Sequence, residues 1–415
     1  MRKIGLTLII PGLKLSSIKL SECVGRIKES PTLAITAKAA RYKSEGKDII
    51  GLAAGEPDFD TPQHIKDAAK KAIDNGFTKY TPVSGIPSLK KAIIEKFKRD
   101  NNLEYALNEV IVGVGGKQCI FNFCLAVLNS GDEVIIPAPY WVSYADIALV
   151  SDAKPIIVEC GIEQKFKMTA SQLEKAITSK TKLLILNSPS NPTGAVYSKE
   201  ELTSLADVLI KHPHILIGTD DMYEHVKLKD MPFYNILNVN PALKDRCVVM
   251  NGVSKAYSMT GWRIGYAAGP SYIIKAMEIL QSQSTSNPTS ISQVAAEAAL
   301  SGDQACMDPM IKAFRERHAY VVKSFNEIPG LSCIEAEGAF YAFPDARKAI
   351  EYLFNQKVLK EKTDHALADY LLEKEGVAVV PGSAFGSDGY FRISFATSME
   401  NLTEAMKRIK RALSV

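Results

Sequence analysis

No stretch of this 415-residue chain stays apolar for the ~20 residues that a membrane-spanning helix needs, so a membrane partner is not expected. The seven cysteines are odd in number, irregularly spaced and without a C-x-x-C pair. That argues against a disulfide framework or a zinc ribbon and fits a reducing compartment, the cytoplasm. Cys119 and Cys124 fall among apolar residues of a helical pattern and read as buried filler. The run His212-Pro213-His214 lacks the i, i+4 spacing of a helical zinc site, and no metal is expected. No block of one charge stands out either: 50 basic and 46 acidic residues are spread along the chain, for a net +4. Without a basic stripe, nucleic acid is not an expected partner, and a small molecule is. Internal repeats and low-complexity segments are also missing.

What is present is a globular composition. With 46% hydrophobic and 23% charged residues the chain can bury a large core, and ~100 to 200 residues per domain leaves room for two or three domains. Residues 1–20 have a basic tip and a short apolar run broken by Pro11, with no small-x-small cleavage signal behind it. They read as an N-terminal arm, with a targeting peptide as the alternative. A helical pattern at 30–46 and an apolar run at 48–54 lead into the Gly- and Pro-punctuated loop GEPDFDTP, then helical patterns at 65–75 and 88–99. From Glu109 the rhythm changes. Buried-strand candidates at 110–114, 133–137, 155–158, 182–186, 215–219 and 247–250 are mostly separated by helical patterns. This predicts an α/β fold, a mostly parallel sheet flanked by helices, whose ligands bind at the carboxyl ends of the strands. A long helix at 310–326 leads to a smaller α+β region. There, strand-like runs at 331–342, 377–380 and 391–395 alternate with helices at 366–374 and 400–413.

Chemistry concentrates at the ends of the predicted strands. The segment SKAYSMTGWR places Lys255 on a loop between two apolar runs, with Ser254 and Arg263 as phosphate-binding groups on either side. An amine adds to an aldehyde only when unprotonated, and burial beside a cation lowers its pKa; the plainer alternative is a surface lysine. Gly113-Val114-Gly115-Gly116-Lys117-Gln118 lies between a strand and an amphipathic helix, where free amides form an anion site. A dinucleotide fingerprint is the competing reading, but Gln118 occupies its third glycine position. Asp220 ends the run ILIGT, where a carboxylate meets either a ligand cation or serves as a helix N-cap, and Asp221 beside it complicates the choice. A protonated pyridine nitrogen is one such cation, which makes the combination a holder of pyridoxal phosphate. Tyr223 and Asn191, the latter in the turn-rich NSPSNPTG, fit as donors to that cofactor's 3-oxygen. Trp141, after the strand EVIIP, is placed to stack on an aromatic ring or to fill core. Arg392 interrupts the strand-like FRISF and needs an anion, either a substrate carboxylate or an internal ion-pair partner.

Taken in order, AGEPDFDTP, KYTPVSGIP, GVGGKQ, PAPYWVSY, NSPSNPTG, SKAYSMTGWRIGY, GAFY, VAVVPG and FRISFATS resemble the fold-type I, class I aminotransferases. The resemblance begins at about residue 20 and is closest to the bacterial aspartate aminotransferases of subgroup Ib. It implies a large domain (66–310) holding pyridoxal 5'-phosphate and a smaller α+β domain built from both chain ends (21–65 and 311–415). It further implies that Lys255 carries the cofactor covalently and shuttles the proton. Ser254, Arg263 and amides near Gly115 and Gly116 would hold the phosphate, Asp220 the ring nitrogen, and Asn191 and Tyr223 the 3-oxygen. Trp141 would stack on the ring. Arg392, Asn191 and the backbone near Gly55 would take the substrate α-carboxylate, and Lys117 the distal one. Tyr80 would reach the phosphate of the partner subunit, which implies a homodimer with shared sites. The implied reaction is ping-pong transfer between aspartate or glutamate and the matching 2-oxo acid. The alternatives are aromatic or prephenate specificity on the same scaffold, a non-catalytic cofactor-binding regulator, and a nicotinamide dehydrogenase. The regulator lacks chain length for a DNA-binding domain, and the dehydrogenase leaves Lys255 unexplained. Departures from the family pattern are the N-terminal arm, Cys119 in the phosphate helix, and Asp221-Met222 after Asp220.

Overall fold

The computed structural model describes residues 20–414; the rest, including nearly all of the expected arm, lies outside the described residues. The first strand, β1 (Ile50–Gly51), belongs to a small sheet taken up below. The next seven form the main sheet: β2 (Val110–Gly113), β3 (Glu133–Ala138), β4 (Lys154–Glu159), β5 (Thr181–Asn187), β6 (Leu216–Asp220), β7 (Cys247–Gly252) and β8 (Gly265–Ala268). All six buried-strand expectations fall on these strands. β2, β6, β7 and β8 are almost continuously buried, as strands covered by helices on both faces must be.

The spatial order is β2-β8-β7-β6-β5-β3-β4. β8 runs antiparallel to both of its neighbours, and every other adjacent pair is parallel. Six strands therefore point the same way, and Gly113, Asn187, Asp220 and Gly252 reach a common edge. The alternation of side chains along each strand divides the core into two layers. Val112, Leu184, Leu186 and Val249 face one buried cluster with Phe97 and Leu205. Ile111, Leu183, Ile185 and Val248 face another with Phe123, Tyr144 and Met277.

A separate cluster joins the two chain ends. β1 pairs in parallel with β10 (Val377–Ala378), and β9 (Tyr341–Ala342), β11 (Val380–Pro381) and β12 (Phe391–Ser394) form an antiparallel sheet in the order β11-β12-β9. Leu52, Phe314, Phe325, Phe340, Phe391 and Ile409 pack between that sheet and the helices Asp308–Asn326 and Met399–Leu413. One expectation is corrected here. The strand-like run at 331–342 is mostly irregular, with only its last two residues in β9. The left-handed conformations at Gly330 (φ 84) and Ala339 (φ 58) break the extended backbone on either side. The helix Arg347–Asn355 between these strands was not anticipated. Among the described residues no helix is long and apolar enough to cross a membrane.

The main sheet meets the first phosphate-type loop without space to spare. A Cβ built on Gly265 lands on the backbone of Gly115 and Gly116, which has no flexible end to yield. Gly265→Ala should destabilise the protein by ~1–3 kcal/mol, the usual range for overpacking. Urea unfolding checks this: the midpoint should fall with the m-value unchanged, and an unmoved midpoint would mean that the loop gives way freely.

Candidate active site

At the common carboxyl edge of the strands, a cavity of ≈ 960 Å³ measured to its open mouth is lined by residues from both ends of the chain. Of the residues predicted from sequence, the cavity wall brings together Gly55, Gly116, Lys117, Trp141, Asn191, Asp220, Tyr223, Ser254, Lys255, Arg263 and Arg392.

Lys255 follows β7 on a turn, and its Nζ donates to the Gly55 carbonyl across the cavity. Burial, with the Arg392 and Arg263 guanidinium groups nearby, pushes its ammonium down to about 8. A fraction of the amine is thus free near neutral pH, which a solvated lysine would not offer.

Asp220 closes β6 and is 7% exposed. Its Oδ2 accepts from Tyr144 Oη at 2.5 Å and its Oδ1 from the Met222 amide at 3.3 Å. Burial pushes the carboxyl up, against the Tyr144 and Met222 hydrogen bonds and the Lys255 charge. No arginine or lysine makes an ion pair with it among the described residues. Asp221 leaves the strand on the other side, where Asn235 Nδ2 donates to it at 2.6 Å, so only Asp220 faces the cavity. The N-cap alternative does not apply, because Met222 to His225 form a turn rather than a helix.

Opposite, the helix Gly116–Val127 points its first amides at the cavity with no side-chain cap. Gly115 carries φ 81 at its N-cap, and a Cβ there would collide with the Arg263 guanidinium. Arg263 is itself left-handed (φ 57) and anchored by Nη1 to the Thr260 carbonyl at 2.8 Å. Backbone amides, the positive end of a helix and a guanidinium converge, a site built for an anion with several oxygens. Lys117, one residue on, holds its Nζ 5.0 Å from the Trp141 ring centre. Burial and the Arg263 charge lower its ammonium below the usual lysine value.

The remaining wall comes from β12. Arg392 is 2% exposed; its Nη1 donates to Asn191 Oδ1 at 2.9 Å and its Nη2 to the Ala53 carbonyl at 2.6 Å, while Nε has no partner. No carboxylate pairs with it among the described residues, so the internal ion pair considered from sequence is absent there. A buried guanidinium with an idle donor calls for a ligand anion. The Tyr223 phenol meets Tyr341 Oη at 2.8 Å. Burial pushes the Tyr223 phenol well above its usual range, so it stays a donor.

Tyr80 does not join them. It is 93% exposed and outside the cavity wall of its own chain. Conversely, sequence reasoning missed Tyr144, Tyr341, Thr32 and Met222, all in or against the site. Tyr144 had one available signal: it stands three residues after Trp141 at the start of a helix, close enough to share a face, and the two rings meet edge-on at 5.4 Å.

The family described as aminotransferase class I and II matches residues 47–409. The chain is 63% identical over 397 residues to the aspartate/prephenate aminotransferase of Nitrosomonas europaea, covering 96% of this chain and 100% of the relative. It is 54% identical over 391 residues to that of Cereibacter sphaeroides, covering 94% and 98%. Among solved structures it superposes on the Rhizobium meliloti aspartate aminotransferase with a TM-score of 0.90 at 48% identity, covering 96% and 99%. The Thermus thermophilus aspartate aminotransferase with maleate gives 0.89 at 41% identity, covering 95% and 100%. The fold is therefore that of the fold-type I aminotransferases.

The lowered Lys255 ammonium is open to direct measurement. In ligand-free protein, reductive methylation of Lys255, followed by peptide mapping across pH, should show a midpoint near the expected value of about 8. Arg392→Gln removes a cation that disfavours the ammonium, so the midpoint should move up. A wild-type midpoint at the ordinary lysine value of 10.5 would show that the amine is solvated instead.

Proposed function

We propose that this chain, which belongs to the class I and II aminotransferases, moves an amino group between aspartate or glutamate and 2-oxoglutarate or oxaloacetate, using pyridoxal 5'-phosphate held by Lys255. The observation that carries the proposal is the buried Lys255 amine, lowered to about 8, between an unpaired carboxylate and a helix-end anion site.

The residues present fit that cofactor. Asp220 lacks a cation and would face the ring nitrogen; Gly115, Gly116, Ser254 and Arg263 leave a backbone cradle for the phosphate that a side chain at Gly115 would fill. Trp141 would cover one face of the ring, and Tyr223 and Asn191 would donate to the 3-oxygen. When bound, the cofactor supplies a protonated ring that absorbs the electron pair left when the substrate α-proton is removed.

The chain's own groups do the rest. Arg392, with its free Nε, would grip the α-carboxylate and fix the α-carbon near Lys255, whose amine would take the α-proton and deliver it on the far side of the amino nitrogen. Asp220 would keep the proton on the ring nitrogen, and Lys117 would receive a distal carboxylate. The same groups serve both half-reactions in turn, so the kinetics are ping-pong. In this reading residues 66–310 form the cofactor domain, and 21–65 with 311–415 form the small domain that brings Gly55 and Arg392. The exposed Tyr80 completes the phosphate site of a partner subunit in a cytoplasmic homodimer.

A second reading keeps the donor and changes the acceptor. Both relatives compared above are named aspartate/prephenate aminotransferases, which supports prephenate as a further acceptor. An acceptor panel with aspartate as donor separates 2-oxo dicarboxylates, prephenate and aromatic 2-oxo acids.

Two outcomes test the assignment. Lys255→Ala should abolish both turnover and the borohydride-reducible chromophore; retention of either removes Lys255 from its role. Lys117→Ala should lower kcat/KM for aspartate and glutamate roughly ten- to a hundredfold, the worth of one charged hydrogen bond, and leave alanine nearly unchanged. Equal losses for all donors would place Lys117 with the cofactor rather than the distal carboxylate.

A further inference from the structure

Tyr144 is a buried phenol that the mechanism so far leaves idle. It is 2% exposed in an apolar layer with Ile136, Ile147, Leu183 and Ile185. In that setting its hydroxyl has one hydrogen-bond partner among the described residues, Asp220 Oδ2 at 2.5 Å. The ring is held by the start of the helix Ser143–Val150 and by edge-on contact with Trp141 at 5.4 Å and 83°. The backbone of Asp220 is pinned separately, its carbonyl accepting from Asn187 Nδ2 at 2.7 Å. Tyr144 therefore fixes the carboxylate rather than the strand.

We propose that Tyr144 is a positioning residue for the ring-nitrogen contact: its hydroxyl orients the Asp220 carboxylate and draws charge from Oδ2, so that a proton shared with the facing heteroaromatic nitrogen stays on nitrogen. The inference rests on the reading of Asp220 given above. Its physical basis is that a donor stabilises the carboxylate far more than the neutral carboxyl. With the donor present, the arrangement of carboxylate and protonated ring is favoured over carboxyl and neutral ring. Burial raises the Asp220 carboxyl, and without the Tyr144 hydroxyl this carboxyl would compete for the proton. The phenol itself lies well above its usual range through burial and the Asp220 charge, so it remains a donor.

The test uses holoenzyme reconstituted with pyridoxal phosphate carrying nitrogen-15 in the ring, because the chemical shift reports the proton on that atom directly. Tyr144→Phe keeps the ring and volume and should move the resonance toward the unprotonated position. It should also slow the first half-reaction with aspartate roughly ten- to a hundredfold. Asp220→Asn should move the resonance the same way, and Tyr144→Phe in the Asp220→Asn background should add nothing to either readout. Should the Phe variant fail to fold, 3-fluorotyrosine at position 144 provides a stronger donor and should move the resonance toward the protonated position. A wild-type shift in the Phe variant, an opposite or null shift with fluorotyrosine, or additive losses in the double variant would overturn the role of Tyr144. An unmoved resonance in Asp220→Asn alone would instead overturn the reading of Asp220 on which it rests.

Discussion

Uncompensated buried charge is the constraint around which this site is organised. Asp220 is an anion without a cation and Arg392 a cation without an anion, while Lys255 sits between them with a weakened hold on its proton. Removing each ion from water costs several kcal/mol, and a protein usually relieves that by pairing. Here only neutral dipoles answer the charges: a phenol and an amide at Asp220, a side-chain carbonyl and a main-chain carbonyl at Arg392. Such dipoles hold an ion in place without neutralising it. The charges stay available to a ligand that presents the opposite pattern.

The fold can carry this because compensated charge lies directly behind it. Glu224, four residues past Asp220, is held by the buried Lys96 ammonium and accepts from Asn101 Nδ2 at 2.6 Å and Asn251 Nδ2 at 2.8 Å. Burial alone would raise its carboxyl, yet Lys96 and His225 hold it well below the usual range. The Asp100, Glu224 and His225 side chains approach closely enough to suggest a metal site, but the Lys96 ammonium already sits on Glu224. This network ties the turn after β6 to the helix Pro87–Asn101 and to β7, so the segment bearing Asp220 and Tyr223 is fastened on its far side. Paired charges secure the frame, and unpaired ones face the cavity.

How much of this was legible in the sequence follows from where each signal lives. The main sheet was readable because buried parallel strands are continuous apolar runs, and Lys255, Asp220 and Arg392 because each charge interrupts or ends such a run. The small region was less so. At 331–340 the residues have strand-like composition, but Gly330 and Ala339 are left-handed, Gly330 packs against Ala349, and the Ala339 amide donates to the Val226 carbonyl, contacts the local sequence does not show. Tyr144 and Tyr341 were hidden for a different reason: a buried tyrosine looks like any aromatic core residue until its hydroxyl partner is known. Those partners, Asp220 and Tyr223, lie 76 and 118 residues away. Tyr80 was singled out only by family resemblance, and its exposure within one chain neither uses nor needs the local sequence.

The pair Asp220-Asp221 shows how one residue of register separates two chemistries. Successive side chains at a strand end point to opposite faces, so the same residue type meets two environments. Asp220 enters the cavity and keeps donors that favour its charged form. Asp221 is 3% exposed and faces Asn235 and the Glu224 carboxylate, whose charge together with burial pushes its carboxyl well above the usual range. A neutral carboxyl there avoids a second anion beside Glu224. Asp220 thus remains the one carboxylate of this turn with charge to spend on a ligand. The local sequence presents two equal candidates, and the packing behind the sheet chooses between them.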